Sequence, residues 1–97
     1  MFDQMKKLME VKKQAEQIKR ELESASLEVN EVRGIKIVID GSQTFQSIEI
    51  DDNLFNTADK NKIQLELLRG LNIAIRKSQA LAAQKMKAVT GLNIPGF

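Results

Sequence analysis

The chain has no cysteine and no histidine. Without thiols there is no disulfide framework and no thiolate metal site, which fits a reducing compartment. Without histidine the commonest general base and metal ligand is gone. Tryptophan and tyrosine are missing too, leaving four phenylalanines as the only aromatics. That is a poor supply of stacking platforms for a reader of single-stranded nucleic acid. No apolar run approaches the ~18 residues of a membrane span. No apolar h-region follows Met1-Phe2-Asp3-Gln4-Met5-Lys6-Lys7, so no signal peptide is expected. Neither G-x-x-x-x-G-K-[ST] nor G-x-G-x-x-G occurs. Ser42, Ser47 and Ser78 lack an activating base at a recognisable spacing. Asp51-Asp52 reads as a solvated strand end, because calcium asks for about six or more oxygens at fixed spacing. These absences point to a cytoplasmic protein that is not an enzyme, with no cofactor, metal, small-molecule substrate or membrane partner.

What is present is charge and periodicity. The 97 residues suit one domain, 1–97, with 42% hydrophobic and 29% charged residues. A chain this short buries only about 60–65% of its unfolded surface, so a monomer is marginally stable. The net charge of +2 conceals a strong polarity along the chain. Residues 1–27 carry six basic and five acidic side chains, residues 28–59 two and seven, and residues 60–97 seven and one. Basic or mixed ends thus flank an acidic middle, an argument about partners and orientation rather than fold.

Leu8, Val11, Ala15, Ile18, Leu22 and Ala25 recur at alternating three-four spacing. That is the a/d seam of a helix from about Asp3 to Ser24, with Asp3 as its cap and the seam buried lengthwise on another helix. From Ser26 the period becomes two. Leu27 and Val29, then Ile35, Ile37 and Ile39, then Ile48 and Ile50 mark three strands. Val32-Arg33-Gly34 and Asp40-Gly41-Ser42 read as turns. Leu54 to Ala58 reads as a connector, with Thr57 or Asp59 as a helix cap. A second long helix follows from about Lys60 to Val89, stopped by Thr90-Gly91 with Pro95-Gly96 beyond. Its wide apolar face holds Leu67, Leu68, Leu71, Ala74, Ile75, Ser78, Leu81, Ala82, Ala88 and Val89. Gly70 within it either permits a close approach or is simply tolerated, at ~1 kcal/mol relative to Ala.

The predicted fold is α+β: α-β-β-β-α, a three-stranded antiparallel meander flanked by two long helices. A 22-residue helix is roughly 33 Å long, against about 20 Å for a six-residue strand. One small sheet cannot cover both helices, and its edges stay unpaired. Two chains joining sheets and helices would solve both problems, so a homodimer with helical arms is expected. Ile35, Ile37, Ile48, Ile50 and the seam of the first helix are its candidate interface.

The basic residues of the first helix come in doublets: Lys6-Lys7, Lys12-Lys13 and Lys19-Arg20. They form either a phosphate-contacting stripe suited to duplex DNA or a solvated face balanced by Glu10, Glu16 and Glu23. In the second helix Arg69 and Arg76 stack seven apart beside Lys77, and Lys85 and Lys87 follow with no acid after Glu66. Two readings stand: a DNA-binding protein that contacts phosphates, and a dimeric helical scaffold whose arms grip a protein partner. A basic helix lying on anionic lipid is a weaker third, because the seam is narrow and includes Ala15 and Ala25.

The chain resembles the YbaB/EbfC family of bacterial nucleoid-associated proteins over essentially its whole length. The matching pieces are Met1-Phe2-Asp3 with Met5-Lys6-Lys7-Leu8-Met9, then Lys13-Gln14-Ala15-Glu16, Gly34-Ile35-Lys36-Ile37-Val38-Ile39-Asp40-Gly41, and Asn72-Ile73-Ala74-Ile75-Arg76-Lys77. The tail Met86, then Val89-Thr90-Gly91-Leu92-Asn93-Ile94-Pro95-Gly96-Phe97, is the most specific. The resemblance implies a homodimer with a tweezer-like body and projecting helices. It also implies association with the nucleoid and binding of duplex DNA with little sequence specificity. By the same resemblance the contacts fall on Lys6, Lys7, Lys12, Lys13, Lys19 and Arg20, and on Arg69, Arg76 and Lys77. One departure is Lys60-Asn61-Lys62, where the family usually places acids.

Overall fold

The computed structural model describes residues 2–90, without the side chains of Phe2 and of residues 88–90. The chain runs through α1 (Phe2–Ser24), β1 (Ser26–Val29), β2 (Ile35–Asp40), β3 (Phe45–Ile50), α2 (Asp52–Thr57) and α3 (Lys60–Thr90). The strands form one antiparallel sheet in the order β1-β2-β3. The expected α-β-β-β-α order holds, with α2 added where a connector was expected. Six residues are too few for helical periodicity to declare itself. The turn is closed by backbone bonds, Phe55 N–H to Asp51 O (3.0 Å) and Ala58 N–H to Leu54 O (3.0 Å).

Alternation along β2 sends Ile35, Ile37 and Ile39 to one face, where they are buried with Val29, Val32 and Ala74. This is the core, with α3 lying over β2 and β1. Gly70 lets it lie close, since a methyl there would stand 3.0 Å from Ile37 Cδ1. The turn before β2 needs Gly34 for its φ of +89°. The opposite sheet face is polar, and on it Lys36 reaches Glu28 (2.8 Å) and Glu49 (4.0 Å). Asp59 starts α3, its Oδ1 accepting from Lys62 N–H at 2.7 Å. Asp3 instead lies inside the first turn of α1.

A polar junction ties both long helices to the sheet. Gly41 N–H, in the β2–β3 turn, donates to Leu22 O (2.8 Å) and Ala25 O (3.0 Å) at the carboxyl end of α1. Buried Ser78 Oγ, on α3, donates to Asp40 O at 2.7 Å. The Asp40 carboxylate holds the turn: Oδ1 accepts from Ser42 N–H (2.9 Å), Ser42 Oγ (2.6 Å) and Thr44 N–H (3.0 Å). Burial pushes this carboxyl up, but the bonds from Ser42, Thr44 and Gln46 outweigh burial and hold it below its ordinary value.

Several expectations are corrected. The seam of α1 is not buried along its length: Ile18, Leu22 and Ala25 are half-buried, whereas every residue from Asp3 to Gln17 is exposed. The helix outruns the body, and the molecule measures 66 × 22 × 18 Å. Leu68, placed on the apolar face of the second helix, is 57% exposed. Ile35 and Ile37, expected at a dimer interface, are spent on the chain's own core. The Thr90-Gly91 stop and Pro95-Gly96 lie at or beyond the edge of the described residues, as do the Ala88 and Val89 side chains.

Candidate nucleic-acid interface

The six basic residues of α1 lie on an uninterrupted helix and all are exposed. Lys6, Lys13 and Arg20 follow at seven-residue spacing, about 10.5 Å apart along the axis. Lys12 and Lys19 form a second row on the margin of the apolar seam. Among the described residues none of the six makes an ion pair. The intrahelical pairs Glu16–Arg20 and Glu10–Lys13, open in the sequence, are not formed. Among the described residues the one ion pair α1 makes runs from Glu21 to Lys85 of α3 at 3.7 Å.

The basic residues of α3 are in a different state. Arg69 sits beside Glu66 at 3.6 Å. Lys77 is paired with Glu31, two residues beyond the end of β1 and 46 residues away in the chain. Arg76 is exposed and forms no ion pair among the described residues. The nine expected residues are therefore not one surface in equal standing. Among the described residues the six cations of α1 make no ion pair, whereas two of the three on α3 are already engaged. The sequence could not show this, because Glu31 meets Lys77 only through the fold.

The arrangement suits binding of a polyanion. Among the described residues no group of three or more acidic side chains could hold a metal ion. No described helix is long and apolar enough to cross a membrane. An open cavity of about 520 Å³ is lined by Asn30, Gly34, Lys36, Glu49, Asp51 and Asp52 among others, an acidic lip to which α1 contributes no residue.

Curated relatives extend along almost the whole chain. A nucleoid-associated protein of Prochlorococcus marinus (strain MIT 9215) is 32% identical over 96 residues, covering 95% of this chain and 82% of the relative. One from Syntrophobacter fumaroxidans is 30% identical over 98 residues, covering 99% and 89%. One from Pelotomaculum thermopropionicum is 30% identical over 99 residues, covering 100% and 94%. With a long helix bearing six exposed cations on a small α+β body, and with residues 1–93 matching the model of the YbaB/EbfC DNA-binding family, the chain belongs to that family.

Proposed function

We propose that the protein is a homodimeric, nucleoid-associated protein that binds duplex DNA with little sequence preference. Phosphates are held by the basic face of α1, and the binding organises the nucleoid or modulates transcription. The observation that carries the reading is the set of six exposed cations on α1 that form no ion pair among the described residues, four of them on the length that leaves the body. Arg76 adds to that set, while Arg69 and Lys77 contribute only by giving up Glu66 and Glu31. Contacts to phosphate need no base readout. The dimer is supported by apolar surface left bare beside the core. Phe45 and Ile48 are 38% and 45% exposed on the helix-facing side of edge strand β3. Leu65 and Leu68 are 68% and 57% exposed on α3. A second chain covering them would close the sheet edge and leave two basic arms, the tweezer-like body of the family.

Fluorescence anisotropy of labelled duplex DNA over a salt series tests this. Neutralising about six phosphates gives a slope of log K against log salt near −5. The triple variant Lys12→Glu/Lys13→Glu/Lys19→Glu, folded by circular dichroism, should flatten that slope and weaken binding. Binding that is unchanged in the triple variant would move the contacts off α1 and end this reading.

A further inference from the structure

Beside its cations, the projecting part of α1 carries an apolar seam that phosphates do not use. Leu8 and Val11 are 70% and 61% exposed, and Ala15 continues the same line toward half-buried Ile18 and Leu22. With Leu8 at heptad position a, Val11 takes d and Ala15 takes a, so the bare stretch continues the seam that the body covers further along. Beside the bare stretch the margins carry Lys7 and Gln14 at g and Met5 and Lys12 at e, with Lys19 at the next e position where the body begins; no acid is among them, and none of the three lysines is in an ion pair among the described residues. Seam and margins together specify what can lie there. Within the bare stretch a second copy of this arm brings no acidic side chain at e or g to meet these lysines, and parallel pairing sets Lys7 against the copy's Lys12. A helix with acidic flanks meets no such repulsion and supplies both apolar knobs and counter-charges.

We propose that the bare seam of α1, with Lys7, Lys12 and Lys19 on its margins, is a docking surface for a partner-protein helix whose apolar seam is flanked by acidic side chains. Such a helix engages Lys12 and Lys19, so it competes with duplex DNA for this arm. That competition rests on the DNA-binding reading; the docking itself does not.

The test uses the full chain and two synthetic three-heptad peptides. Both carry Leu at a and d; one has Glu and the other Lys at every e and g. Anisotropy at physiological salt should show the Glu peptide binding at least about tenfold more tightly than the Lys peptide. Leu8→Gln/Val11→Gln alters two exposed side chains and leaves every charge in place. It should weaken the Glu peptide by about tenfold or more and change duplex affinity by less than about twofold. The Glu peptide should also displace labelled duplex from the wild type. Failure to bind the Glu peptide, or binding indifferent to Leu8→Gln/Val11→Gln, overturns the proposal. So does a concentration-dependent self-association in sedimentation that the Gln variant abolishes, since the seam then belongs to a second copy. A chain that binds the peptide through the seam but binds no duplex leaves the docking surface standing and removes the DNA reading alone.

Discussion

Replacing Asp40 with alanine tests the junction that aims both long helices. The residue is 4% exposed, and its Oδ1 accepts three hydrogen bonds between 2.6 and 3.0 Å. Hydrogen bonds to a charged group contribute more than neutral ones, and truncation leaves the Ser42 and Thr44 donors to water in a turn that has lost its anchor, so Asp40→Ala should cost about 2–3 kcal/mol. For a domain of this size that lowers Tm by roughly 10–20 °C. The assay is urea and thermal unfolding followed by far-UV circular dichroism, since the chain has no tryptophan or tyrosine to report by fluorescence. The pH dependence gives a second arm. The folded carboxyl lies below its ordinary value of 3.8, so its stabilisation is fully present above that value and is lost as pH falls through the folded value. Asp40→Asn keeps an acceptor in place but cannot titrate. The stability gap between wild type and Asp40→Asn should stay level from pH 7 to about pH 5 and close below about pH 4. A cost for Asp40→Ala under about 1 kcal/mol, or a gap unchanged at pH 3, would refute the role assigned to the carboxylate.

Three further variants probe the packing of α3, the sheet edge and the cations of α3. Gly70→Val places branched carbon where a single methyl already stands 3.0 Å from Ile37 Cδ1; overpacking should cost about 1–3 kcal/mol in urea unfolding, and a stabilised variant would mean α3 does not approach the sheet this closely. Ile48→Asp changes a residue that is 45% exposed in the single chain; sedimentation should show a folded monomer, and a dimer of unchanged affinity would place the interface elsewhere. Arg69→Glu/Lys77→Glu should weaken duplex binding less than the triple variant of α1 at equal salt, since both residues already face acids; an equal or greater loss would give α3 the leading role.

Local patterns carried most of the fold into the sequence. The switch from three-four to two-residue spacing at Ser26 sets the boundary between α1 and the sheet, and Asp40-Gly41-Ser42 announces its turn through residue type alone. Gly70 was ambiguous until the sheet lay beneath it, because a close approach is a property of two elements. Ser78 was legible in part: a lone hydroxyl on an apolar helical face needs a buried acceptor, but nothing local names Asp40 O as that acceptor. The site divides in the same way. Spacing put six cations on one helix, but whether they were free depended on acids elsewhere. Glu31 took Lys77, and Glu21 chose Lys85 over any neighbour on its own helix. The apolar seam misled for a related reason. A three-four repeat says that a face can pack against another helix, not that this chain supplies the helix for its whole length.

Charge is divided between arm and body, and that division makes a prediction about salt that a uniformly basic protein would not share. Residues 3–20 hold six basic and three acidic side chains, a net of +3. Residues 26–70, which form the sheet, α2 and the near part of α3, hold five basic and eight acidic, a net of −3. The exposed stretch from Asp3 to Gln17 extends about 22 Å. At physiological ionic strength the Debye length is about 8 Å, so DNA at the arm's tip is screened from the acidic body. At 0.01 M it is about 30 Å, longer than the arm, and the acidic sheet and α2 then oppose the attraction between the arm and the duplex. The plot of log K against log salt should therefore be straight and steep between about 0.1 and 0.3 M and bend toward a shallower slope near 0.01 M. Neutralising acids on the body, as in Asp51→Asn/Asp52→Asn, should straighten the low-salt end and leave the slope above about 0.1 M unchanged. If the pair instead shifts affinity equally at all salt concentrations, the duplex lies against the body and not along the arm.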